Sequence, residues 1–215
     1  INLRGYIMKT FEKHNVSYLS PSTINLFITQ PALCLLKIAG YNDGEAGPPA
    51  WRGQAIDRAM CKVAFEPETS DEALLSIANQ VFFEKQTSAQ DSYNEEKVAK
   101  EKNSIKNYIQ HGAKFYRDLG KQPIQEQGKV EVRINDIDIP FFGYFDLLYE
   151  NEVRDTKSVG RAVSSLTASA SRQASIYAYG TGREPWIDYV TPREVRSFCV
   201  QDVPFWLKQV EIASK

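Results

Sequence analysis

Two aspartates and a lysine, Asp146, Asp155 and Lys157, lie close together in the sequence on either side of a predicted turn. Side chains alternate between the two faces of a β-strand, so Asp155 and Lys157, two positions apart, share a face. Two neighbouring carboxylates repel each other unless a cation lies between them. Hard oxygen ligands of this kind suit Mg²⁺ or Mn²⁺, which keep several waters and pair with phosphate. The three residues therefore predict a divalent-metal site with an ammonium group beside it.

A β-hairpin is the element that would bring these side chains together. Two apolar runs, over residues 140–149 and 152–156, flank Glu150 and Asn151. Asparagine accepts the positive φ values that tight turns require, so we expect two short antiparallel strands here. A simpler interpretation stays open, in which both aspartates only mark strand ends on a solvated edge, because Asp-x-Lys also occurs by chance.

The composition is that of one globular domain over residues 1–215. Hydrophobic residues make up 42% of the chain and charged residues 25%. No apolar run approaches the ~20 residues that span a bilayer, so we expect no membrane contact and no signal peptide. The three cysteines Cys34, Cys61 and Cys199 are widely separated and form no Cys-x-x-Cys pair, which argues against a zinc ribbon or a disulfide framework and favours a reducing, cytoplasmic location.

The net charge neither indicates nor excludes a nucleic-acid partner. Lys and Arg total 26 and Asp and Glu total 27, for a formal net charge of −1. Binding to a polyanion depends on a local basic patch rather than on the sum of charges. A run of lysines over residues 97–114 is explained more simply as a solvated helix face than as a binding surface.

Helices are predicted on the N-terminal side of the hairpin. Ser20-Pro21-Ser22 resembles a helix start, because serine caps and proline tolerates the first turn. Pro31 should kink this segment or split it into two helices. Apolar periodicity predicts further helices from residue 51, over 70–85 and over 93–119, and Gly112 is a candidate interruption of the last one.

Strands and helices alternate in the second half of the chain. After a loop over 120–128 we expect strands over 129–135, over 137–149 and through Asp155, then a helix from Ser164 or Ser165 to about Tyr179. Strands over 186–190 and 195–200 and a helix over 204–212 complete the chain. This order predicts an α/β fold with a mixed sheet and helices packed against it.

Four motifs occur in an order that resembles the PD-(D/E)XK nuclease superfamily, and within it the RecB-nuclease and phage-type exonuclease branch. The resemblance covers about residues 20–190. The motifs are the N-terminal helix start at Ser20-Pro21-Ser22, Gly143-Tyr-Phe-Asp146 for Gly-x-x-Asp, Asp155-Thr156-Lys157 for (D/E)-x-K, and Gln173 to Tyr177 for Gln-x-x-x-Tyr. The resemblance implies a restriction-endonuclease-like mixed β-sheet core flanked by helices, with an N-terminal helical portion.

The resemblance also implies roles for these residues. Asp146, Asp155 and the carbonyl of Thr156 would bind the metal, and Lys157 would position the attacking water and steady charge on the phosphate. Gln173 and Tyr177 would hold the DNA strand or the geometry of the active site. On the residues alone, Tyr177 is explained as packing and Gln173 as exposed, so both interpretations stay open.

The resemblance further implies one more acidic or histidine ligand on an early helix, after a glycine. Gly53-Gln-Ala-Ile-Asp57 fits that position, with Asp57 where many relatives have His or Glu. Relatives that carry an iron–sulfur cluster have a cysteine before the proline of the N-terminal helix and three more near the C-terminus. This chain has Gln30-Pro31 there and only Cys199 late in the sequence, so we expect no cluster.

The predicted function is a Mg²⁺-dependent DNA exonuclease, with Mn²⁺ as a substitute, in recombination, repair or phage DNA processing. We expect sequence-independent DNA binding that weakens with salt. The candidate phosphate contacts, each of which could equally be a surface charge, are Arg52, Arg58, Arg161 and Arg172. Tyr177 or Trp51 could serve as a stacking platform for an unpaired base.

Two alternatives stay open. An endonuclease of the same fold would use the same residues, because end-dependence is set by channel shape and oligomeric state. A catalytically inactive module that binds DNA or a protein would keep the fold but lack a working metal site. A recombination partner protein, a homo-oligomer and a phage origin are all compatible with this sequence.

Overall fold

The computed structural model describes residues 14–41, 46–89, 92–135, 137 and 139–214. The described part is an α/β fold with helices before and around a five-stranded mixed sheet, as predicted. Its elements are α1 (Pro21–Thr29), α2 (Pro31–Ile38), α3 (Pro48–Phe65), α4 (Asp71–Ser88), α5 (Glu95–Leu119), β1 (Gln125–Val132), β2 (Phe141–Leu148), β3 (Glu152–Ser158), α6 (Ala168–Thr181), β4 (Glu184–Val190), β5 (Val195–Cys199) and α7 (Val203–Ala213).

The strands follow one another across the sheet in chain order, from β1 to β5. The pairs β1–β2, β2–β3 and β4–β5 are antiparallel, and β3–β4 is parallel. Helix α6 connects the parallel pair, since parallel strands cannot be joined by a tight turn. The predicted hairpin is confirmed as β2 and β3, and β3 lies at the centre of the sheet.

Helices cover both faces of the sheet. Thr156 of β3 contacts Tyr116 of α5, whereas the neighbouring Asp155 contacts Gln173 of α6. Successive strand residues point to opposite faces, so α5 and α6 lie on opposite sides. Helices α3, α4 and α5 form one core cluster, and α1, α6 and α7 contribute to another with β1 and β2.

The predicted start and division of the N-terminal helical segment are confirmed. The side chain of Ser20 caps α1 by accepting a hydrogen bond from the backbone N–H of Thr23 at 3.1 Å. Pro31 begins a separate helix, α2, because proline cannot donate the next helical hydrogen bond. Just before α1, Leu19 forms a parallel bridge with Phe141 at the beginning of β2.

Several predicted boundaries and one predicted interruption were wrong. Helix α3 begins at Pro48 rather than Trp51, α4 continues to Ser88, and β1 begins at Gln125 inside the predicted loop. Helix α6 begins at Ala168, after its N-cap Thr167, rather than at Ser164 or Ser165. Gly112 does not interrupt α5; a Cβ there would lie 2.3 Å from the sulfur of Met60, so the glycine lets α3 and α5 approach closely.

None of the helices in the described part of the chain is both long and apolar enough to cross a membrane.

Candidate active site

The sheet opens between β2 and β3 at the two aspartates of the predicted site. The β2–β3 ladder ends with the pair Leu147 and Arg154, just before Asp146 would face Asp155. On the other side of β2, the ladder with β1 is interrupted at Asp146, which has no paired residue. Gln127, the β1 residue at this interruption, has a φ of 46°. Asp146 therefore lies at a break in both ladders.

A side-chain hydrogen bond spans this opening. Asp146 Oδ2 accepts a hydrogen bond from the backbone N–H of Thr156 at 2.6 Å. The N–H and C=O of one strand residue point to the same side, so the Thr156 carbonyl also faces the opening. A ligand between the strands would meet the Asp146 carboxylate and this carbonyl together.

Lys157, Asp155, Gln173 and Tyr177 form a connected chain of contacts at the same place. Lys157 Nζ lies 2.7 Å from Asp155 Oδ2, as expected for two residues on one strand face. Gln173 Nε2 donates to Asp155 Oδ1 at 3.2 Å and to the Tyr177 hydroxyl at 2.7 Å. The Asp155 side chain is 5% exposed, so the interpretation of a solvated edge is wrong for this residue, and Lys157, at 34%, reaches solvent.

Asp57 of α3 is the third carboxylate near the opening. Burial, and then the charges of Asp146 and Asp155, raise the pKa of Asp57 well above its usual value. Its Oδ1 is buried and has no hydrogen-bond partner within the described residues. Asp57 is thus close enough to the two strand aspartates for their charges to act on it.

The charges in this cluster are unbalanced. Burial and the charge of Asp155 raise the pKa of Asp146 to about 7, although the Thr156 N–H and Lys157 act to lower it. Burial also raises the pKa of Asp155, despite the adjacent ammonium. Burial acts to lower the pKa of Lys157, but the carboxylates of Asp155 and Asp146 raise it, which keeps this side chain charged. Three carboxyl groups share one ammonium, so a further cation would relieve their repulsion.

The atoms around the opening that could bind a metal ion are all oxygens. Carboxyl groups come from Asp57, Asp146 and Asp155, and a carbonyl from Thr156. Across the described ranges, no group of three or more His, Cys, Asp and Glu side chains forms a ready-made metal cluster. An oxygen-only set with few protein ligands suits Mg²⁺, which usually keeps several of its own waters.

Gly143 has a steric role in the Gly-x-x-Asp segment. A Cβ at this position would lie 2.5 Å from Cε1 of Tyr177. The glycine therefore lets the Tyr177 ring pack directly on β2, three residues before Asp146. Tyr177 is 3% exposed, so its ring is part of the packed core, and its hydroxyl also accepts a hydrogen bond from Gln173.

The structure does not bring the four predicted phosphate-binding arginines together. Arg172 is buried and donates to Asn25 of α1 at 2.8 Å and to Gln209 of α7 at 3.0 Å, so it joins helices instead of facing the opening. Arg58 is exposed and lies 3.3 Å from Glu126 of β1.

The other two arginines lie near the end of β3 and beyond it. Arg52 is paired with Glu101 and lies over the ring of Tyr108, whose hydroxyl donates to the Val159 carbonyl just after β3. Arg161 is exposed and lines a separate pocket near Thr191.

The two aromatic residues predicted as stacking platforms are not exposed. Trp51 is 4% exposed and packs edge-on against Phe82 and Tyr93 in the core of α3 to α5. Tyr177 is covered as described above. A base cannot reach the Trp51 ring, so the prediction was wrong for Trp51; Tyr177 is equally little exposed, although it lines a groove.

Sequence reasoning missed a buried ionic network on the other face of β3. Arg154 donates from Nη1 to Asp188 Oδ1 at 2.8 Å, and its Nη2 lies 2.7 Å from Glu152 Oε2. Tyr116 donates to Asp188 Oδ2 at 3.0 Å. The available signal was the run of charges in a predicted strand, since charges at successive positions must occupy both faces of the sheet.

Comparisons with known proteins add little to this geometry. No protein family matches the sequence, and no curated protein matches it either. Among solved structures, one described as the crystal structure of SSO0001 superposes with a TM-score of 0.38 at 10% identity. That superposition covers 99% of this chain and 85% of the other, and at this level of similarity it carries no argument about either protein's function.

Proposed function

We propose that this chain is a Mg²⁺-dependent deoxyribonuclease of the PD-(D/E)XK superfamily that degrades DNA from an end without sequence specificity. The observation that carries the proposal is the convergence of Asp146, Asp155, Thr156 and Lys157 at one opening in the sheet, with Asp57 beside them. The observed strand, strand and helix around these residues agree with the context on which the sequence resemblance rests.

The oxygen donors fit a hard divalent cation. Asp57 Oδ1 is buried without a partner within the described residues, and Asp155 Oδ2 lies 2.7 Å from the Lys157 ammonium. Asp57, Asp146, Asp155 and the Thr156 carbonyl would hold the ion. A bound Mg²⁺ would polarise the phosphate and lower the pKa of a water molecule.

Lys157 and Gln173 have separate tasks in this proposal. Lys157 stays protonated because neighbouring carboxylates raise its pKa, and its ammonium would steady the negative charge that develops on the phosphate. Gln173 fixes the Asp155 carboxylate by a hydrogen bond and joins it to Tyr177. The expected settings are DNA recombination, repair or phage DNA processing.

The test is digestion of end-labelled linear DNA beside a covalently closed circle, with and without Mg²⁺ or Mn²⁺. Loss of the linear DNA alone supports the exonuclease, and cutting of both supports an endonuclease of the same fold. Lys157→Ala is the control for contaminating nuclease. Equal digestion by this variant and the unaltered protein would contradict the proposal.

A second candidate is an inactive module that binds DNA or a partner protein. It is favoured by one observation, that the described residues hold no preformed cluster of acidic, His or Cys side chains. Calorimetric titration with Mn²⁺ separates the two candidates. An inactive module should show no metal binding that Asp146→Ala abolishes.

A further inference from the structure

A groove of about 530 Å³ lies beside the candidate active site. Its walls come from the segment before and at the start of α1, from β1, from β2 and from α6. The lining residues are Tyr18, Ser20, Pro21, Ser22, Lys129, Phe142, Gly143, Tyr144, Gln173 and Tyr177. Gln173 lines the groove and also donates a hydrogen bond to Asp155, so the groove and the site share a side chain.

Exposed aromatic rings are the main feature of this groove. The Tyr18 ring stacks on Phe142, with 4.9 Å between centroids and 23° between planes. Tyr18 is 48% exposed and Tyr144 is 63% exposed. An isolated exposed aromatic residue is ordinary, but two in one concave surface offer π-faces to a ligand.

A cation lies among these rings. Lys129 Nζ lies 3.6 Å from the centroid of the Phe142 ring, and Lys129 faces Tyr144 in the β1–β2 register. Glu131 lies 3.6 Å from the Lys129 ammonium and partly offsets its charge. Phe142 is in contact with both Tyr18 and Lys129, so the outer ring faces available to a ligand belong to Tyr18 and Tyr144.

We propose that this groove binds single-stranded DNA, with bases stacked on Tyr18 and Tyr144 and a phosphate near Lys129. Rings beside a lysine in a groove match the chemistry of single-strand binding, where bases stack on aromatic side chains and cations follow the backbone. A base inside a duplex has both faces covered by its neighbours, so the interior of a duplex cannot use these rings. That the bound DNA strand continues from the groove to Lys157 rests on the proposed function.

The inference is tested by fluorescence anisotropy of short labelled oligonucleotides in EDTA, so that no cleavage occurs. The probes are an oligothymidine, an abasic strand of the same length and a duplex of the same length. Tyr18→Ala and Tyr144→Ala should each weaken oligothymidine binding about tenfold and leave binding of the abasic strand unchanged. Tyr179→Ala is the matched control, because Tyr179 is 53% exposed but lines a different pocket.

Charge variants separate stacking from electrostatic attraction. Lys129→Gln should weaken binding of the oligothymidine and the abasic strand alike, and should reduce the salt dependence of binding by about 0.7 in log–log slope. Glu131→Gln should strengthen both about twofold, because it removes an exposed carboxylate near the phosphate path. Tyr18→Phe should bind as the unaltered protein does, since it keeps the ring.

Unchanged oligothymidine affinity in both Tyr18→Ala and Tyr144→Ala, or an equal loss on the abasic strand, would overturn the inference. Different results would refute the binding of single-stranded DNA in the groove and the proposed nuclease function. A protein that digests DNA but binds independently of these tyrosines refutes the groove alone. A protein that shows the stacking pattern in EDTA but never cleaves with Mg²⁺ refutes the nuclease and keeps the groove.

Discussion

The two faces of strand β3 carry similar residue types, but the charges are paired on one face and unbalanced on the other. Toward α5, Arg154 lies between Glu152 and Asp188, and each of these charges has a close partner of opposite sign. Toward α6, Asp155 shares the single ammonium of Lys157 with further carboxylates. Both faces are largely buried, so burial alone does not distinguish them.

The difference teaches which face supports the fold and which one is reserved for a ligand. A buried charge with satisfied partners holds the strand in place, although it does so at a cost in desolvation. Buried carboxylates without enough partners lower the stability of the protein until a proton or a cation arrives. The α5 face therefore positions β3, and the α6 face offers a place for a divalent ion.

Removing Lys157 has the largest expected effect on activity. Lys157→Ala should lower the single-turnover rate of DNA cleavage roughly 100- to 1,000-fold, because it removes a charge aimed at the developing negative charge. Lys114→Ala is the matched control, since Lys114 is a 74% exposed lysine paired with Asp118 on α5. Circular dichroism should show both variants folded, and a normal rate for Lys157→Ala would contradict the assignment.

Removing Arg154 has the largest expected effect on stability. Arg154→Met should lower the free energy of unfolding by about 3–5 kcal/mol, because Asp188 would be left buried without a cation and Glu152 would keep only Lys121. Urea denaturation measures this change. The exposed pair of Arg196 and Glu194 gives a control in Arg196→Met, for which we expect a loss below about 1 kcal/mol. Similar losses in the two variants would remove the contrast between the faces of β3.

The pH dependence of stability should reveal the unbalanced face. Because the pKa of Asp146 is raised from 3.8 to about 7, the folded protein binds protons more tightly than the unfolded chain between these values. The stability of the metal-free protein should therefore fall as the pH rises from about 4 to 7. Thermal unfolding in EDTA measures this slope, and Mg²⁺ should oppose it.

Asp146→Asn supplies the check on that slope. The variant has no titrating group at this position, so its stability should vary less with pH than that of the unaltered protein. A metal-free protein that gains stability across the same interval would show that the carboxyl groups are already compensated in the folded state.

A smaller effect is expected from Gln173. Gln173→Ala removes the hydrogen bond to Asp155, which is worth about 1 kcal/mol. We expect DNA affinity and turnover to fall roughly fivefold. Metal affinity should change less, because the carboxylate remains. Gln122→Ala, at an exposed position near Phe65, is the control. Unchanged DNA affinity and turnover in Gln173→Ala would make this residue purely structural.

The sequence was sufficient to predict the central features of the fold and which side chains of the candidate site lie next to each other. Alternation along the strands placed Asp155 and Lys157 on one face, and four-residue spacing placed Gln173 beside Tyr177. Pro31 divided the first helical segment as its missing N–H requires. These features depend on local geometry, which periodicity and backbone chemistry report directly.

Features that depend on distant contacts could not be predicted. Arg172 is next to a motif residue in sequence, yet its partners are in α1 and α7. Trp51 was predicted to be available for stacking but is buried. Tyr18, which sequence reasoning passed over, meets Phe142 more than a hundred positions away. Periodicity does not report which surfaces meet across the fold.

The most direct test of the account is calorimetric titration of the metal-free protein with Mn²⁺, with Asp146→Ala and Asp57→Ala as variants. We expect the unaltered protein to bind Mn²⁺, Asp57→Ala to bind more weakly and Asp146→Ala to lose binding at the site. Asp118→Ala, on the exposed surface of α5, should bind normally. Identical titrations for the unaltered protein and Asp146→Ala, or no binding by either, would contradict a metal site on this face of β3.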